Sequence, residues 1–92
     1  MSRYDWDLEK ARVNLAKHGV SFDDAATVDL DPFRHVWVDA QHERDDDRFG
    51  VIGYSQDGLL LVVITSERGR RPRIISARRA TKRERREHET RS

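Results

Sequence analysis

Apolar residues recur along this chain first at helical and then at strand spacing, and the change divides it into predicted helices and strands. The first helical stripe consists of four residues, Leu8, Ala11, Leu15 and Ala16. Asp7 stands where an N-cap is expected, and Gly19 is suited to the left-handed position that commonly follows a helix. The pattern therefore predicts a helix that begins after Asp7 and ends at His18.

A second, shorter helix is predicted directly after the first. Ser21 is a suitable N-cap, with Asp24 three residues later in the capping-box position. The apolar side of this helix holds Phe22, Ala25 and Ala26. Because proline disfavours the helical conformation in the residue before it, the Asp31-Pro32 pair should end this helix.

Four segments rich in β-branched, aromatic and other apolar residues follow, at residues 34–39, 48–55, 59–64 and 73–77. The third consists of six consecutive Leu, Val and Ile residues, which are too few for a capped helix. We therefore predict that it is a central strand covered on both faces. Asp57-Gly58 and Gly69 mark the turns before and after this strand.

The last predicted element is a helix from Thr81 through about Glu89, with Glu84 completing a capping box. Since every connection between the strands is short, the strands should form an antiparallel meander. We predict an α+β fold with two N-terminal helices, a four-stranded antiparallel meander sheet and a C-terminal helix. Residues 1–92 should form a single domain, with residues 90–92 frayed at its end.

Charge is divided unequally along the chain. Residues 1–65 carry 7 Lys or Arg against 13 Asp or Glu, a balance of −6, whereas residues 66–92 carry 11 against 4, a balance of +7. A basic segment of this kind suggests a polyanionic partner such as nucleic acid. The alternative is a solvated helix with internal ion pairs, because glutamates are interspersed among the basic residues after Thr81.

Composition also excludes several classes of site. The chain contains no cysteine, so it has no disulfide framework, no thiol nucleophile and no cysteine zinc site. The N-terminus lacks the apolar segment of a signal peptide, and no apolar run approaches the length of a membrane span. We expect a soluble, cytoplasmic protein that has no membrane partner.

The hairpin at residues 58–79 carries the most distinctive charged residues. Glu67 and Arg68 leave its first strand, and Arg78 and Arg79 leave its second, so we expect these side chains at one end of a rigid frame. Further arginines lie in or beside the turn, at Arg70, Arg71 and Arg73. Arginine suits a phosphate site because its fork pairs two phosphate oxygens and keeps its charge. The alternative is a solvated polar turn without a function.

Metal-free cleavage of RNA would also need a group that orients or deprotonates the 2′-hydroxyl. A carboxylate among guanidinium groups, as expected for Glu67, is better suited to orienting a hydroxyl than to accepting a proton. Histidine is the residue type best suited to proton transfer at neutral pH, which makes His18 a candidate, although a histidine at a helix C-terminus more often satisfies a carbonyl group. The choice between Glu67 and His18 stays open.

No metal and no cofactor are predicted. The four histidines match no zinc pattern. The acidic loop at residues 41–47 resembles a cation site in composition alone, because it lacks the glycine and the alternate-residue spacing of a calcium loop. Trp6 and Trp37 are each more often core residues than platforms for bases, but Trp6 precedes the first helix and could reach an open face of the sheet to stack on a base.

Two segments resemble the signatures of BrnT-type toxins. The N-terminal segment comprises Trp6-Asp7, Lys10, Asn14-Leu15, Lys17-His18-Gly19-Val20-Ser21-Phe22 and Ala25. The C-terminal segment comprises Glu67-Arg68-Gly69, Arg73-Ile74-Ile75-Ser76-Ala77-Arg78, Ala80-Thr81 and Glu84-Arg85. The resemblance covers nearly the whole chain with order and spacing kept, and it is weakest in the acidic loop and at residues 34–39.

The resemblance implies a type II toxin-antitoxin ribonuclease with a RelE-like fold, which inhibits translation by cutting RNA. Similar toxins depend on an early aromatic residue and on charged residues of the turn and last strand. From the resemblance and the residues together, the predicted catalytic residues are Glu67, Arg68, Arg78 and His18. The predicted RNA-binding residues are Trp6, Lys10, Arg70, Arg71, Arg73 and Arg79.

The implied partners are an RNA substrate and a BrnA-like antitoxin, a small DNA-binding protein, with a 2:2 complex as the expected arrangement. DNA would be contacted only through that antitoxin. Two alternatives to an enzyme stay open, a nucleic-acid-binding module without catalysis and a protein-interaction module whose charged face docks on an acidic surface.

Overall fold

The computed structural model of the chain describes residues 3–39, 47–67 and 69–91. Its N-terminal helices are α1 (Leu8–His18) and α2 (Phe22–Ala26), which a 3-10 helix (Thr27–Leu30) continues. The strands and the last helix are β1 (His35–Val38), β2 (Arg48–Tyr54), β3 (Leu60–Ser66), β4 (Arg73–Arg79) and α3 (Lys82–Arg91). The predicted acidic loop, apart from its last residue, lies outside the described residues.

The N-terminal helices begin and end where their capping residues predict. The side chain of Asp7 accepts a hydrogen bond from the backbone N–H of Lys10 at 2.9 Å. Gly19 ends α1 with a φ of 69°, and its N–H donates to the carbonyl oxygen of Leu15 at 2.8 Å. Ser21 caps α2 by accepting from a backbone N–H. Local sequence therefore determines these boundaries.

Other boundaries differ from the prediction by one or two residues. β3 continues to Ser66 rather than ending at residue 64, because Thr65 and Ser66 pair with strands on both sides. β4 likewise continues to Arg79, which pairs with Leu61. α3 extends to Arg91, two residues beyond its predicted end. Polar residues therefore extend both strands beyond their apolar segments, since pairing within a sheet overrides intrinsic preference.

The four strands form one antiparallel sheet in the order β1-β2-β3-β4, which confirms the predicted meander and α+β fold. Helices α1 and α2 and the 3-10 helix cover one face, which we call the helical face. Its core contains Val51, Leu61, Val63, Ile74 and Ala77 from the sheet, packed with residues of the N-terminal helices. The opposite face, which we call the open face, carries a smaller cluster of Ile52, Leu60 and Val62.

β3 is buried on both faces, as its apolar sequence predicts. Leu61 and Val63 belong to the core of the helical face, whereas Leu60 and Val62 belong to the cluster of the open face. None of these four side chains is more than 3% exposed. At about 2 kcal/mol for each large apolar side chain taken out of water, this strand is a main source of stability.

The buried side chain of Asn14 joins α1 to the edge strand β4. Its amide nitrogen donates to the carbonyl oxygens of Ala77 and Val20, at 2.8 and 3.1 Å, and its amide oxygen accepts from the N–H of Ala77 at 3.2 Å. The side chain therefore satisfies backbone groups that an edge strand would otherwise leave unpaired. It also fixes the distance between α1 and β4.

We expect Asn14→Ala to lower the free energy of unfolding by about 2 to 4 kcal/mol, because it leaves buried backbone groups without partners. Urea denaturation monitored by circular dichroism measures this change. The matched control is Arg12→Ala, which removes only an exposed ion pair with Glu9 on the same helix and should leave the midpoint nearly unchanged. Equal midpoints for the two variants would contradict the assigned role of Asn14.

Candidate functional site

The register of β3 and β4 separates the predicted site residues. Ser66 pairs with Arg73 near the turn, whereas Val62 pairs with Arg78 at the far end of β4. Glu67 lies five residues beyond Val62, which is about 16 Å along an extended strand. The expectation that Glu67 and Arg78 share one end was wrong, because two consecutive antiparallel strands terminate at opposite ends of their hairpin.

Glu67 lies on the side of the molecule that carries the 3-10 helix. Its carboxylate is 3.5 Å from the guanidinium of Arg3, which is also 3.7 Å from the carboxylate of Asp29. Its backbone N–H donates to the carbonyl oxygen of Asp47 at 2.8 Å. Because the Arg3 and Glu67 side chains are both partly exposed, this ion pair holds Glu67 only weakly.

The other charged residues of the turn form an exposed basic rim. Arg71 donates to the carbonyl oxygen of Tyr4 at 3.4 Å, and Arg73 lies 3.8 Å from the carboxylate of Asp5. Arg70 is exposed in the same turn. The predicted catalytic residue Arg68 lies outside the described residues.

Arg78 is held in place by Glu84 at the start of α3. Its Nη1 and Nη2 donate to the two carboxylate oxygens at 2.8 and 3.0 Å, and Nη1 also donates to the carbonyl oxygen of Arg79 at 3.2 Å. These bonds use three of the five guanidinium N–H groups. Within the described residues, the Nε–H and the second Nη2 N–H have no acceptor. These two donors form the side-on fork that matches two phosphate oxygens.

The same carboxylate also caps α3. Glu84 accepts from the backbone N–H of Thr81 at 2.8 Å, and the Thr81 hydroxyl accepts from the N–H of Glu84 at 3.1 Å, which confirms the predicted capping box. Bonding to Arg78 is the main reason that the pKa of Glu84 falls from 4.5 to about 2, and the same contact raises the pKa of Arg78. Both groups are therefore charged throughout the neutral range.

A groove of about 320 Å³ runs over the open face beside Arg78. Its charged lining residues are Asp39, Arg48 and Arg78, and its remaining walls are Trp37, Val62, Ile64, Ile75 and Ser76. Two guanidinium groups and the Asp39 carboxylate line this groove, and the carboxylate of Glu84 pairs with Arg78 beside it. The feature of the groove that suits an anion is therefore the side-on fork of Arg78 and not a net positive charge.

A second groove, of about 270 Å³, lies between α1 and β4 and contains His18 and Lys10. It shares Ile75 and Ser76 with the groove beside Arg78, so the two grooves meet across the edge of β4. A β-bulge widens this edge, because Ser76 pairs with Ile64 while Ile74 pairs with Thr65, which leaves Ile75 as the extra residue. The groove of His18 therefore adjoins that of Arg78, whereas Glu67 lies at the opposite end of the hairpin from Arg78.

Trp6 and Arg79 lie away from the groove beside Arg78. Trp6 is half-buried and packs edge-on against Phe22 in the core of the helical face, with ring centroids 6.1 Å apart. Arg79 is exposed and pairs with Leu61, so it lies on the opposite face of β4 from Arg78. Neither is positioned to contact a molecule bound beside Arg78.

No group of three or more His, Asp or Glu side chains that could hold a metal ion occurs within residues 3–39, 47–67 and 69–91. Over the same ranges, none of the helices has both the length and the apolar character needed to cross a membrane.

Comparison with known proteins identifies the family. The model of the family described as the ribonuclease toxin BrnT of type II toxin-antitoxin systems matches residues 6–84. The chain belongs to the BrnT family of ribonuclease toxins. A crystal structure of the ribonuclease toxin BrnT from Brucella abortus is similar to this chain, with 28% sequence identity and a TM-score of 0.66 over 86% of this chain and 96% of that one. No curated protein matches the sequence significantly.

This membership confirms the resemblance on which the prediction of a type II toxin ribonuclease rested. The match includes both N-terminal helices and the entire sheet of this BrnT-family toxin, and it ends at Glu84, the residue that holds Arg78. The RelE-like relationship stays a prediction, as do the roles of individual site residues.

The sequence did not point to all of the residues around the groove. Nothing in the sequence marks Arg48 and Asp39, which flank the acidic segment, as site residues, and Trp37 is of a residue type more often found in a core. The register of β1 and β2 brings these three residues together. In this register Trp37 pairs with Gly50, and the N–H of Asp39 donates to the carbonyl oxygen of Arg48 at 3.0 Å. Register between strands separated by a long loop cannot be obtained from periodicity alone.

We expect Glu84→Gln to destabilise this BrnT-family toxin by about 1 to 2 kcal/mol at pH 7, a value that allows for solvent screening of a partly exposed pair. A carboxylate whose folded pKa is lowered stabilises the fold above its unfolded pKa of 4.5, and this contribution disappears as the pH falls toward 2. Urea unfolding at pH 7, 5, 4 and 3 should therefore show a difference between wild type and variant that shrinks below pH 5.

The control is Glu87→Gln, which removes an exposed pair with Arg83 on the same helix. It should produce a smaller difference that depends little on pH. A Glu84→Gln difference of constant size from pH 7 to pH 3 would contradict the paired state of Glu84.

Proposed function

We propose that this toxin is an endoribonuclease that binds RNA in the groove beside Arg78 and cleaves it without a metal ion. The observation that carries this proposal is the side-on fork of Arg78. Glu84 fixes the end of the guanidinium, and the Nε–H and one Nη2 N–H are left for two oxygens of a backbone phosphate. Pre-oriented donors of this kind stabilise the charge that develops on a phosphorane.

In the proposed reaction, the 2′-hydroxyl oxygen attacks the adjacent phosphorus and the bond from phosphorus to the 5′-oxygen breaks. The products are a 2′,3′-cyclic phosphate and a 5′-hydroxyl end. The 2′-hydroxyl loses one proton, and the leaving 5′-oxygen gains one. Arg78 and Arg48 offset the negative charge. We assign the proton transfer to His18 in preference to Glu67, because the groove of His18 adjoins that of Arg78 across Ser76.

The basic rim at the turn is proposed to hold RNA that extends beyond the cleaved bond. Its exposed arginines are suited to phosphates that lie along the surface, and contacts of this kind make affinity fall with salt. Glu67 lies among these residues and would orient one of them. The members of this proposed RNA surface are Glu67, Arg68, Arg70, Arg71 and Arg73. Lys10, Trp6 and Arg79 are proposed RNA contacts on the helical side, with Arg79 at the end of β4 away from the turn.

We expect Arg78→Gln to reduce the rate of RNA cleavage about a hundredfold, which corresponds to about 3 kcal/mol of lost transition-state stabilisation. Arg78→Lys should fall between this variant and wild type, because it keeps the charge but loses the fork. The assay uses purified protein with RNA in EDTA and counts new 5′-hydroxyl ends by enzymatic phosphorylation. The control is Arg86→Gln, which removes an exposed arginine of α3.

Thermal unfolding of each variant separates lost chemistry from lost folding, since Arg78 also pairs with Glu84. A folded Arg78→Gln protein that cuts RNA at the wild-type rate would overturn the assignment. Binding of RNA by wild type without new ends would favour the non-catalytic nucleic-acid-binding module. A complete block of wild-type cleavage by EDTA, reversed by Mg²⁺, would contradict the metal-independent mechanism.

We further propose that the partner is a BrnA-like antitoxin in a 2:2 complex, and that the toxin acts on RNA in the cytoplasm. Membership in a type II family implies a protein antitoxin, and its carboxylates would pair with the side-on fork of Arg78 and with the exposed arginines of the basic rim. Induced expression of the toxin should arrest growth, and co-expression of the neighbouring antitoxin gene should relieve the arrest. Arrest that persists in the presence of that gene would count against this partner.

A further inference from the structure

The indole ring of Trp37 lies flat on the open face, above the backbone of Gly50. These residues are directly paired across β1 and β2. If Gly50 carried a Cβ atom, that atom would overlap Cε2 and Cζ2 of Trp37 to the same extent and would lie farther from Nε1. A position with these relative distances lies above the face of the indole ring and not beyond its edge. One face of the indole therefore rests on the sheet, and the opposite face is turned away from it.

His35 extends this flat surface. Its ring centroid is 6.3 Å from that of Trp37, and the two planes differ by only 22°, which is a stacked arrangement. The two residues are two apart on β1, so their side chains lie on the same face of the sheet. We call this pair of nearly parallel rings, His35 and Trp37, the aromatic platform.

The aromatic platform adjoins both arginines and carboxylates of the open face, because its two rings line a further groove with Glu84, Glu87 and Arg91 of α3. Trp37 lines the same groove as Arg48 and Arg78. His35 belongs to the cross-strand row that runs through Ile52 and Val62 to Arg78. Adjacent strands are about 4.8 Å apart, so about 14 Å separates β1 from β4. A short single-stranded segment can span this distance with its bases on one side and its phosphates on the other.

We propose that the aromatic platform binds unpaired bases of the RNA while Arg48 and Arg78 hold the backbone phosphates that follow. Stacking on aromatic rings beside a basic groove is the common way in which proteins bind single-stranded nucleic acid. This inference rests on the proposed function, because it assumes that RNA occupies the open face. It adds a subsite that would favour unpaired over base-paired RNA.

The purely structural explanation is that Trp37 shields Gly50 and stabilises the pairing of β1 with β2, as aromatic residues do beside strand glycines. The two explanations predict different behaviour for Trp37→Leu and Trp37→Phe. If Trp37 only shields Gly50, both variants should change thermal stability and leave nucleic-acid affinity alone. If it stacks on a base, phenylalanine should retain most of the affinity and leucine should not.

The test is a titration of tryptophan fluorescence with a single-stranded DNA hexamer, which lacks the 2′-hydroxyl and cannot be cleaved by the proposed reaction. Trp6→Phe leaves Trp37 as the one tryptophan of the chain. We expect saturable quenching in this variant and at least tenfold weaker binding, measured by hexamer anisotropy, when Trp37→Leu is added. The RNA cleavage assay should show a raised KM for Trp37→Leu with kcat changed less than threefold.

The matched control is Val36→Ala, which alters the same strand on its opposite, exposed side. It should leave the affinity for the hexamer unchanged. Lack of quenching of Trp37, or affinities of Trp37→Leu and wild type within twofold, would overturn the platform even if RNA is cleaved. Quenching by the hexamer without any RNA cleavage would instead overturn the proposed function and leave the platform intact.

Discussion

The pairing of β3 with β4 determines where the charged residues of the C-terminal half lie. Because Val62 opposes Arg78 and Ser66 opposes Arg73, the hairpin carries one group of arginines at its turn and another beside α3. The same register places Leu61 and Val63 beneath the N-terminal helices, and these residues are almost fully buried. A shift of one residue would exchange the two faces and expose this core. The position of Arg78 on the open face is thus enforced by the apolar sequence of β3.

Glu84 connects the stability of the fold to the arrangement of the site. Its carboxylate caps α3 through Thr81 and pairs with Arg78, so one group orders both the start of the helix and the guanidinium. A guanidinium that is already oriented loses less conformational entropy when a phosphate binds. The charge of Glu84 also offsets part of the charge of Arg78, but it leaves the side-on fork for another anion. The carboxylate that caps α3 therefore also orients the guanidinium of the proposed site.

Much of the fold could be predicted because its determinants are local. Asp7, Gly19 and Ser21 define helix ends through backbone groups a few residues away, and the apolar run of β3 is buried on both faces wherever its neighbours lie. The site could not be predicted in the same way. The separation of Glu67 from Arg78 follows from strand direction. The surroundings of Trp37 follow from the pairing of β1 with β2, and the sequence between these strands gives no register signal.

The open face, rather than the turn, carries the proposed RNA-binding groove. The most direct test is NMR chemical-shift mapping of the backbone amides during titration with a non-cleavable, fully 2′-deoxy oligonucleotide. Binding to the open face should give the largest shifts at Gly50, Val62 and Ser76, with smaller ones at Gly69 in the turn. Large shifts confined to Gly69 and its neighbours, with Gly50 and Ser76 unchanged at saturation, would contradict it.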